Sequence, residues 1–260
     1  MPDLIPRCIN GGGEASRIRL PMVPTIDEAL RLGSEALPAL HAWQARPGEI
    51  VTVSDPQQRE YRARLTALDA DSANLIPFAL VPPSESPLRI HLLQALPEKE
   101  RFELILQKGT EIGVSRIVPF TCRRSTTLRE RDAGQKKSHR WPDVLLRAAR
   151  QCRRAELPEL FPVLDWGQTL SVAVAADLAL LCFEGVGTLP LADALRSFSG
   201  SSIALIVGPE GGFALDEVEQ AKRRGVIPIG LGPRILRTES AAIIASGIIQ
   251  HVLGDLGRIP

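Results

Sequence analysis

The chain has 260 residues, 44% of them hydrophobic, with 31 Lys and Arg against 30 Asp and Glu for a net charge of +1. That length and apolar fraction describe a globular protein of one large or two modest domains and exclude a disordered or fibrous chain. The four cysteines and four histidines are scattered without CxxC or HExxH spacing, which excludes a disulfide framework and a structural zinc site and predicts no metal.

The first stretch, "MPDLIPRCINGGG", lacks the apolar core of a signal peptide. Residues 1–80 read as β-rich: "EIVTVSD" (49–55) and "EYRARLTAL" (60–68) alternate apolar and polar residues, with a turn at "DPQQR" between them. The proline-rich "VPPSESP" (81–87) is the expected linker and domain boundary. Beyond it the pattern changes to alternating strands and helices. Strands are predicted at "LRIHLLQAL", "SRIVPFTC", "LALLCF", "SSIALIV" and "VIPIGL". Helices are predicted at "EKERFELILQKGTEIG", with Phe102, Ile105, Leu106 and Gly109 on one face, and at "WPDVLLRAARQCRRA" (141–155). Two more are predicted at "FALDEVEQAKRRG" and "SAAIIASGIIQHVLGDL". Nearly all-apolar strands between helices mean a parallel sheet covered on both faces, so the fold class is α/β. The longest apolar runs, "SVAVAADLALLCF" and "AAIIASGIIQHVL", are too short to span a bilayer. A soluble, cytoplasmic protein is expected.

The neutral total hides a gradient. From Arg123 to Arg154 eleven Lys and Arg face three Asp and Glu, a local +8, which leaves −7 for the rest of the chain. A local field of that sign attracts polyanions. Within it, Arg147, Arg150 and Arg154 lie at i, i+3 and i+7 of the helix predicted over 141–155, opposite Val144, Leu145, Ala148 and Cys152. A row of arginines is usually only a solvated face. Its place in the basic run favours contact with RNA phosphates, weakening steeply with salt. Lys108 and Glu111 form an expected surface pair. Trp43, Trp141 and Trp166 read as packing residues rather than base-stacking platforms.

The turn "GPEGG" (208–212) directly follows an apolar strand and precedes a helix. In a parallel sheet this carboxyl-end crevice is where ligands sit. There is no GK[ST] and no GxGxxG, and Glu210 is expected to repel a pyrophosphate. The bland alternative is a tight turn whose glycines supply positive φ. "LGPRILRTESAA" (231–242) follows the next strand, and two irregular polar loops at one crevice favour a site. Thr238 is placed to cap the following helix, and Glu239 suits its dipole. Neither explains Arg234 and Arg237, two positive charges just before a helix N-terminus, where they are unfavourable.

"GPEGGF" followed by "LGPRILRTESAA" at this spacing resembles the C-terminal half of the SPOUT superfamily of RNA methyltransferases. The closer likeness is to the RsmE-like family, which methylates N3 of a uridine in 16S ribosomal RNA of the small subunit. "LLQALPEKERFELILQKGTEIGVSRIVPF" and the stretch from Arg123 to Trp141 resemble that family as well, so the likeness covers about residues 88–255.

The resemblance implies a SPOUT domain over 88–255, its C-terminal part threaded into a trefoil knot. It also implies a small PUA-like β-barrel over 1–80 that helps hold RNA. The implied cofactor is S-adenosylmethionine, enclosed by Gly208, Pro209, Glu210, Gly211 and Gly212 together with Leu231, Gly232, Ile235, Leu236 and Thr238. The implied partners are 16S rRNA of the small ribosomal subunit and a second copy of the chain, with the sites at the homodimer interface. N3 of uracil must lose its proton before it can attack a methyl group, and Arg237 or Arg234 would stabilise the anion left on O2 and O4. Glu239 or Glu210 would accept the proton, directly or through water. Arg123, Arg124, Arg147, Arg150 and Arg154 would contact RNA.

Some positions depart from the family. "RAARQ" stands where an acidic "EAAEQ"-like run is usual, so Arg147 and Arg150 replace carboxylates. "ALPALHAWQARPGE" matches only loosely, and Ser240 and Ala214 are milder changes. These differences leave two rivals: a SPOUT methyltransferase acting on another RNA position, including a ribose 2′-hydroxyl, and a non-catalytic RNA-binding or ribosome-assembly factor that kept the fold.

Overall fold

The computed structural model describes residues 8–127 and 140–257, with Lys99 by its backbone alone. The middle of the basic run, 128–139, lies outside the described residues.

The first half of the fold is a five-stranded sheet in the order β1-β3-β4-β5-β2. Its strands are β1 (Ile18–Arg19), β2 (Leu30–Leu32), β3 (Ile50–Ser54), β4 (Glu60–Leu68) and β5 (Ala73–Val81). All pairs are antiparallel except β1 with β3. The strands β3 and β4 are the two that period-two alternation predicts. Alternation misses β5, "ANLIPFALV", because Pro77 interrupts it. The pairing with β4 shifts register just there, between Arg62 and Ala63, the kind of irregularity that accommodates proline in a strand. Helix α1 (Leu37–Ala42) packs Leu37, Ala39 and Leu40 into this core. Trp43 follows it, buried, and donates its indole N–H to the Ser16 carbonyl at 2.7 Å.

The second half is a seven-stranded, all-parallel sheet in the order β10-β12-β9-β11-β6-β7-β8. In chain order it runs β6 (Arg89–Ala95), α2 (Lys99–Ile112), β7 (Val114–Phe120), α3 (Trp141–Gln151), β8 (Glu159–Leu160), α4 (Trp166–Ala173) and β9 (Leu178–Cys182). It continues with β10 (Leu189–Pro190), α5 (Leu191–Leu195), β11 (Ser202–Val207), α6 (Leu215–Arg223), β12 (Ile227–Gly230) and α7 (Thr238–Leu253). Alternate residues of β6 and β11 enter separate cores. Ile90, Leu92, Ile203 and Leu205 pack with α2, α3, α5 and α7, while Leu93, Ala95, Ala204 and Ile206 pack with α4 and α6. The sheet is therefore covered on both faces. The three tryptophans pack: Trp141 against Phe102, and Trp166 between Phe120 and Phe213. Lys108 and Glu111 pair at 2.8 Å. Among the described residues no helix is long and apolar enough to cross a membrane.

Helix α3 joins the halves. Trp141 and Leu145 sit in the core of the parallel sheet, whereas Leu146 and Ala149 sit in that of the five-stranded sheet. The segment 81–87 is anchored rather than loose, since Glu85 accepts the backbone N–H groups of Ala155 and Glu156 at 2.9 and 3.0 Å.

The three arginines do not form one exposed stripe. The sequence predicts a helix to residue 155, but α3 ends at Gln151. Arg153 adopts φ +63°, its N–H reaches the Arg150 carbonyl at 3.2 Å and that of Arg154 reaches Ala149 at 3.0 Å. These are the two bonds of a Schellman turn. The turn takes Arg154 out of helical phase and buries it, with its guanidinium on Glu85 at 2.6 Å and on the Val114 carbonyl at 2.7 Å. Arg154 is a structural cation and is not available to RNA.

His91 on β6 carries a pH-dependent liability. Burial, and then the charges of Arg116 and Arg89, push its pKa down to about 4. The fold holds it neutral, while the unfolded chain protonates it below about 6.5. Stability is therefore expected to fall by about 2–3 kcal/mol as pH drops from 6.5 to 4. Denaturant unfolding across that window measures it, and His91→Leu should flatten the slope.

Candidate active site

Turns after β9, β11 and β12 meet at the carboxyl edge of the parallel sheet and enclose a cleft of about 520 Å³, a size suited to a nucleoside-like ligand. Val207, Ile229 and Ala241 supply apolar lining, and the turns supply backbone and charge. The turn after β11 is close-packed: a Cβ on Gly208 would lie 2.9 Å from the Phe213 ring. The loop after β12 turns on Gly232 at φ +104°, a conformation that a side chain would strain.

One hydroxyl ties two of the turns together. Thr238 Oγ1 donates to the Gly208 carbonyl at 2.5 Å and accepts from Gln94 Nε2 at 3.0 Å. The expected capping role of Thr238 is therefore incorrect. Thr238 is the first residue of α7, Arg237 occupies the cap position, and no side chain caps that helix. Buried Gln94 was overlooked in the sequence; its signal is a lone amide within the apolar strand "LRIHLLQAL".

The predicted loop residues Gly208, Pro209, Glu210, Gly211, Gly212, Leu231, Gly232, Arg234, Ile235, Leu236, Arg237 and Thr238 all line this cleft. Glu239 does not: its Oε2 is buried without a partner, outside the lining. The idea that Glu210 repels phosphate also fails. Its Oε1 accepts Arg101 Nη1 at 3.0 Å and the Glu98 N–H at 3.1 Å, so its charge is already matched. By contrast, Arg234 and Arg237 are exposed and have no hydrogen-bond or ion-pair partner among the described residues. Sequence reasoning missed the third turn, where Glu184 stands exposed in the lining. The available signal was "FEGVGT", a carboxylate and two glycines immediately after a buried strand.

Burial pushes the Cys182 thiol up to about 12, so the cysteine in this lining stays protonated and is no nucleophile near neutral pH. Among the described residues no group of three or more His, Cys, Asp or Glu is placed to hold a metal ion. Backbone turns, an apolar wall and the Glu184 carboxylate, unpaired among the described residues, fit a neutral or cationic nucleoside, while Arg234 and Arg237 fit an anion arriving from outside.

The remaining predicted RNA contacts divide. Arg124 Nη1 donates to the Gly211 carbonyl at 3.0 Å, and Arg123 grips Asp216 in a bidentate pair at 2.6 and 2.8 Å. Both are exposed and fasten their segment to the cleft's edge. Arg147 is exposed, and among the described residues its side chain hydrogen-bonds only the Asp143 carbonyl one turn back. Arg150 reaches across to the carbonyls of Trp43 and Gln44 and to Glu49, bracing the first sheet.

A sequence profile of the RNA methyltransferase domain matches residues 84–250. Ribosomal RNA small subunit methyltransferase E of Bacillus subtilis is 34% identical over 172 residues, 64% of this chain and 67% of that one. The protein of the same name from Mycobacterium bovis is 34% identical over 224 residues, 84% of each chain. The crystal structure of ribosomal RNA small subunit methyltransferase E from Neisseria gonorrhoeae, bound to S-adenosyl methionine, superposes with a TM-score of 0.66. It is 29% identical, and the match covers 96% of this chain and 99% of that one.

Proposed function

The chain belongs to the RNA methyltransferase domain family, and from that premise we propose that it transfers a methyl group from S-adenosylmethionine to N3 of a uridine in 16S rRNA. The observation that carries this is the cleft itself: three turns form a nucleoside-sized pocket, and two arginines without a partner among the described residues stand in its lining. When bound, S-adenosylmethionine supplies an electrophilic methyl on a sulfonium. Gly208–Gly212 and Leu231–Thr238 would hold its nucleoside through backbone groups, and Glu184 offers an acceptor for hydroxyls or an ammonium. Arg237, with Arg234, would stabilise the uracil anion at O2 and O4. Glu210 is engaged by Arg101 and Glu239 lies outside the cleft, so trapping the deprotonated base by fixed positive charge replaces a dedicated carboxylate base in this reading.

The same reading takes residues 1–80 as a PUA-like β-barrel that holds RNA and 88–255 as a SPOUT domain. A trefoil knot is supported by the strand order, in which β11 enters between β6 and β9, and β12 between β9 and β10. A homodimer is supported by Ile244, Ile248 and Val252, exposed along α7 at i, i+4 and i+8. Light scattering of the purified chain checks it. A ribosomal RNA substrate would place the work in the cytoplasm.

The test is methyl transfer from labelled S-adenosylmethionine to small ribosomal subunits from a strain lacking the gene, followed by nucleoside mass spectrometry. The expected product is 3-methyluridine. A 2′-O-methylated nucleoside would point instead to the rival target, and cofactor binding without any transfer to the non-catalytic factor.

A further inference from the structure

A second cleft, of about 370 Å³, lies where the five-stranded sheet meets the C-terminus of α3, away from the candidate active site. Thr52 on β3 and Arg62 on β4 are direct cross-strand partners. Arg62 Nη1 donates to Thr52 Oγ1 at 2.5 Å, and that hydroxyl in turn donates to the Arg153 carbonyl at 3.3 Å. Arg62 and Arg153 both line the cleft, and neither has an acidic partner among the described residues. Glu49, the carboxylate in the same lining, is taken by Arg150 at 3.4 Å. Burial and the neighbouring charge of Arg153 hold the half-buried Arg62 guanidinium below its ordinary pKa. Two like charges thus share a recess that no carboxylate among the described residues neutralises.

Backbone conformation gives an independent argument. Arg153 occupies the left-handed position of the Schellman turn, where glycine is the usual residue because a Cβ is strained there. An arginine held in that conformation costs stability, and such strain concentrates at functional sites. Arg153 lines the same recess as Arg62, a second arginine with no acidic partner among the described residues.

We propose that this cleft is a phosphate-binding site, in which Arg62 and Arg153 grip one phosphate group of the RNA backbone as the substrate crosses from the five-stranded sheet to the parallel one. The proposal rests on the RNA methyltransferase reading for the source of the phosphate, and on the cleft alone for its chemistry. Paired guanidinium forks suit phosphate oxygens better than lysines would.

The test compares the full-length protein with Arg62→Ala, Arg153→Gly and the double variant. Arg153→Gly relaxes the turn, so its Tm should hold or rise, and the fold is retained. Affinity for a small-subunit rRNA fragment is expected to fall on the order of tenfold at about 0.1 M salt in the double variant. The slope of log affinity against log salt should become shallower by about one to two. S-adenosylmethionine affinity should not change. A second arm titrates inorganic phosphate and follows the guanidinium Nε–H resonances, where a saturable shift in the wild type should vanish in the double variant. Loss in both arms supports the site with RNA as its source, and loss in the phosphate arm alone supports it for a free anion. Unchanged RNA affinity, salt slope and phosphate response in the double variant overturn it. Absence of wild-type methyl transfer would instead count against the proposed function, leaving the phosphate arm to decide this site separately.

Discussion

Arg237→Ala is expected to lower methyl transfer to the small subunit about 10²- to 10³-fold, the usual cost of removing one donor from an anion-stabilising site. Arg237 sits at the cap position of α7 with φ −63° and ψ 154°, lines the cleft, and is exposed. Its place before a helix N-terminus is unfavourable for a cation, and among the described residues no carboxylate compensates it. A charge left free at that position is available to the uracil anion. Because the exposed Arg237 side chain makes no hydrogen bond to any turn of the pocket among the described residues, its loss should leave Tm and cofactor affinity unchanged. Arg237→Lys should restore part of the rate, keeping the charge but not the planar fork. Calorimetry with S-adenosylmethionine beside the transfer assay separates the two steps, and full turnover by the alanine variant would end the assigned role.

Glu85→Ala should produce the largest loss of stability, about 3–5 kcal/mol, because it strands a buried cation. The Arg154 side chain is 5% exposed and that of Glu85 14%. Glu85 meets Arg154 at 2.6 Å and also accepts two backbone N–H groups at 2.9 and 3.0 Å. Removing it leaves a guanidinium and two amides to be desolvated without return. In a chain of this size the change corresponds to a Tm lower by on the order of 10 °C. Thermal unfolding of the variant measures it. A shift below about 2 °C would mean that water enters the junction and replaces the carboxylate.

The junction also shows how far local pattern carries. Fixed periodicity placed Arg147, Arg150 and Arg154 on one helical stripe, and that inference is sound only while the helix lasts. The helix stops at Gln151 because Arg153 takes the left-handed turn, and one residue of altered φ sends Arg154 from solvent into the seam between two sheets. No residue pattern announces that turn, since the position that usually advertises it with glycine holds an arginine.

What the sequence determined by itself was every feature carried by a few neighbouring residues. Apolar runs of "SSIALIV" and "VIPIGL" bury on both faces and so specify parallel strands, and "GPEGGF" with "LGPRILRTESAA" marks the turns that follow them. Those are local facts, because strand type depends on alternation and turn type on glycine. The tertiary structure alone decided which charges are free. Glu210 and Arg237 look alike as loop charges, yet the fold brings Arg101 to one and, among the described residues, no partner to the other. It also brought the unread turn at Glu184 to the same cleft, and set Arg62 beside Arg153 across 91 residues of chain. A charge's availability depends on partners distant in sequence, and only the folded chain puts them within a few ångströms.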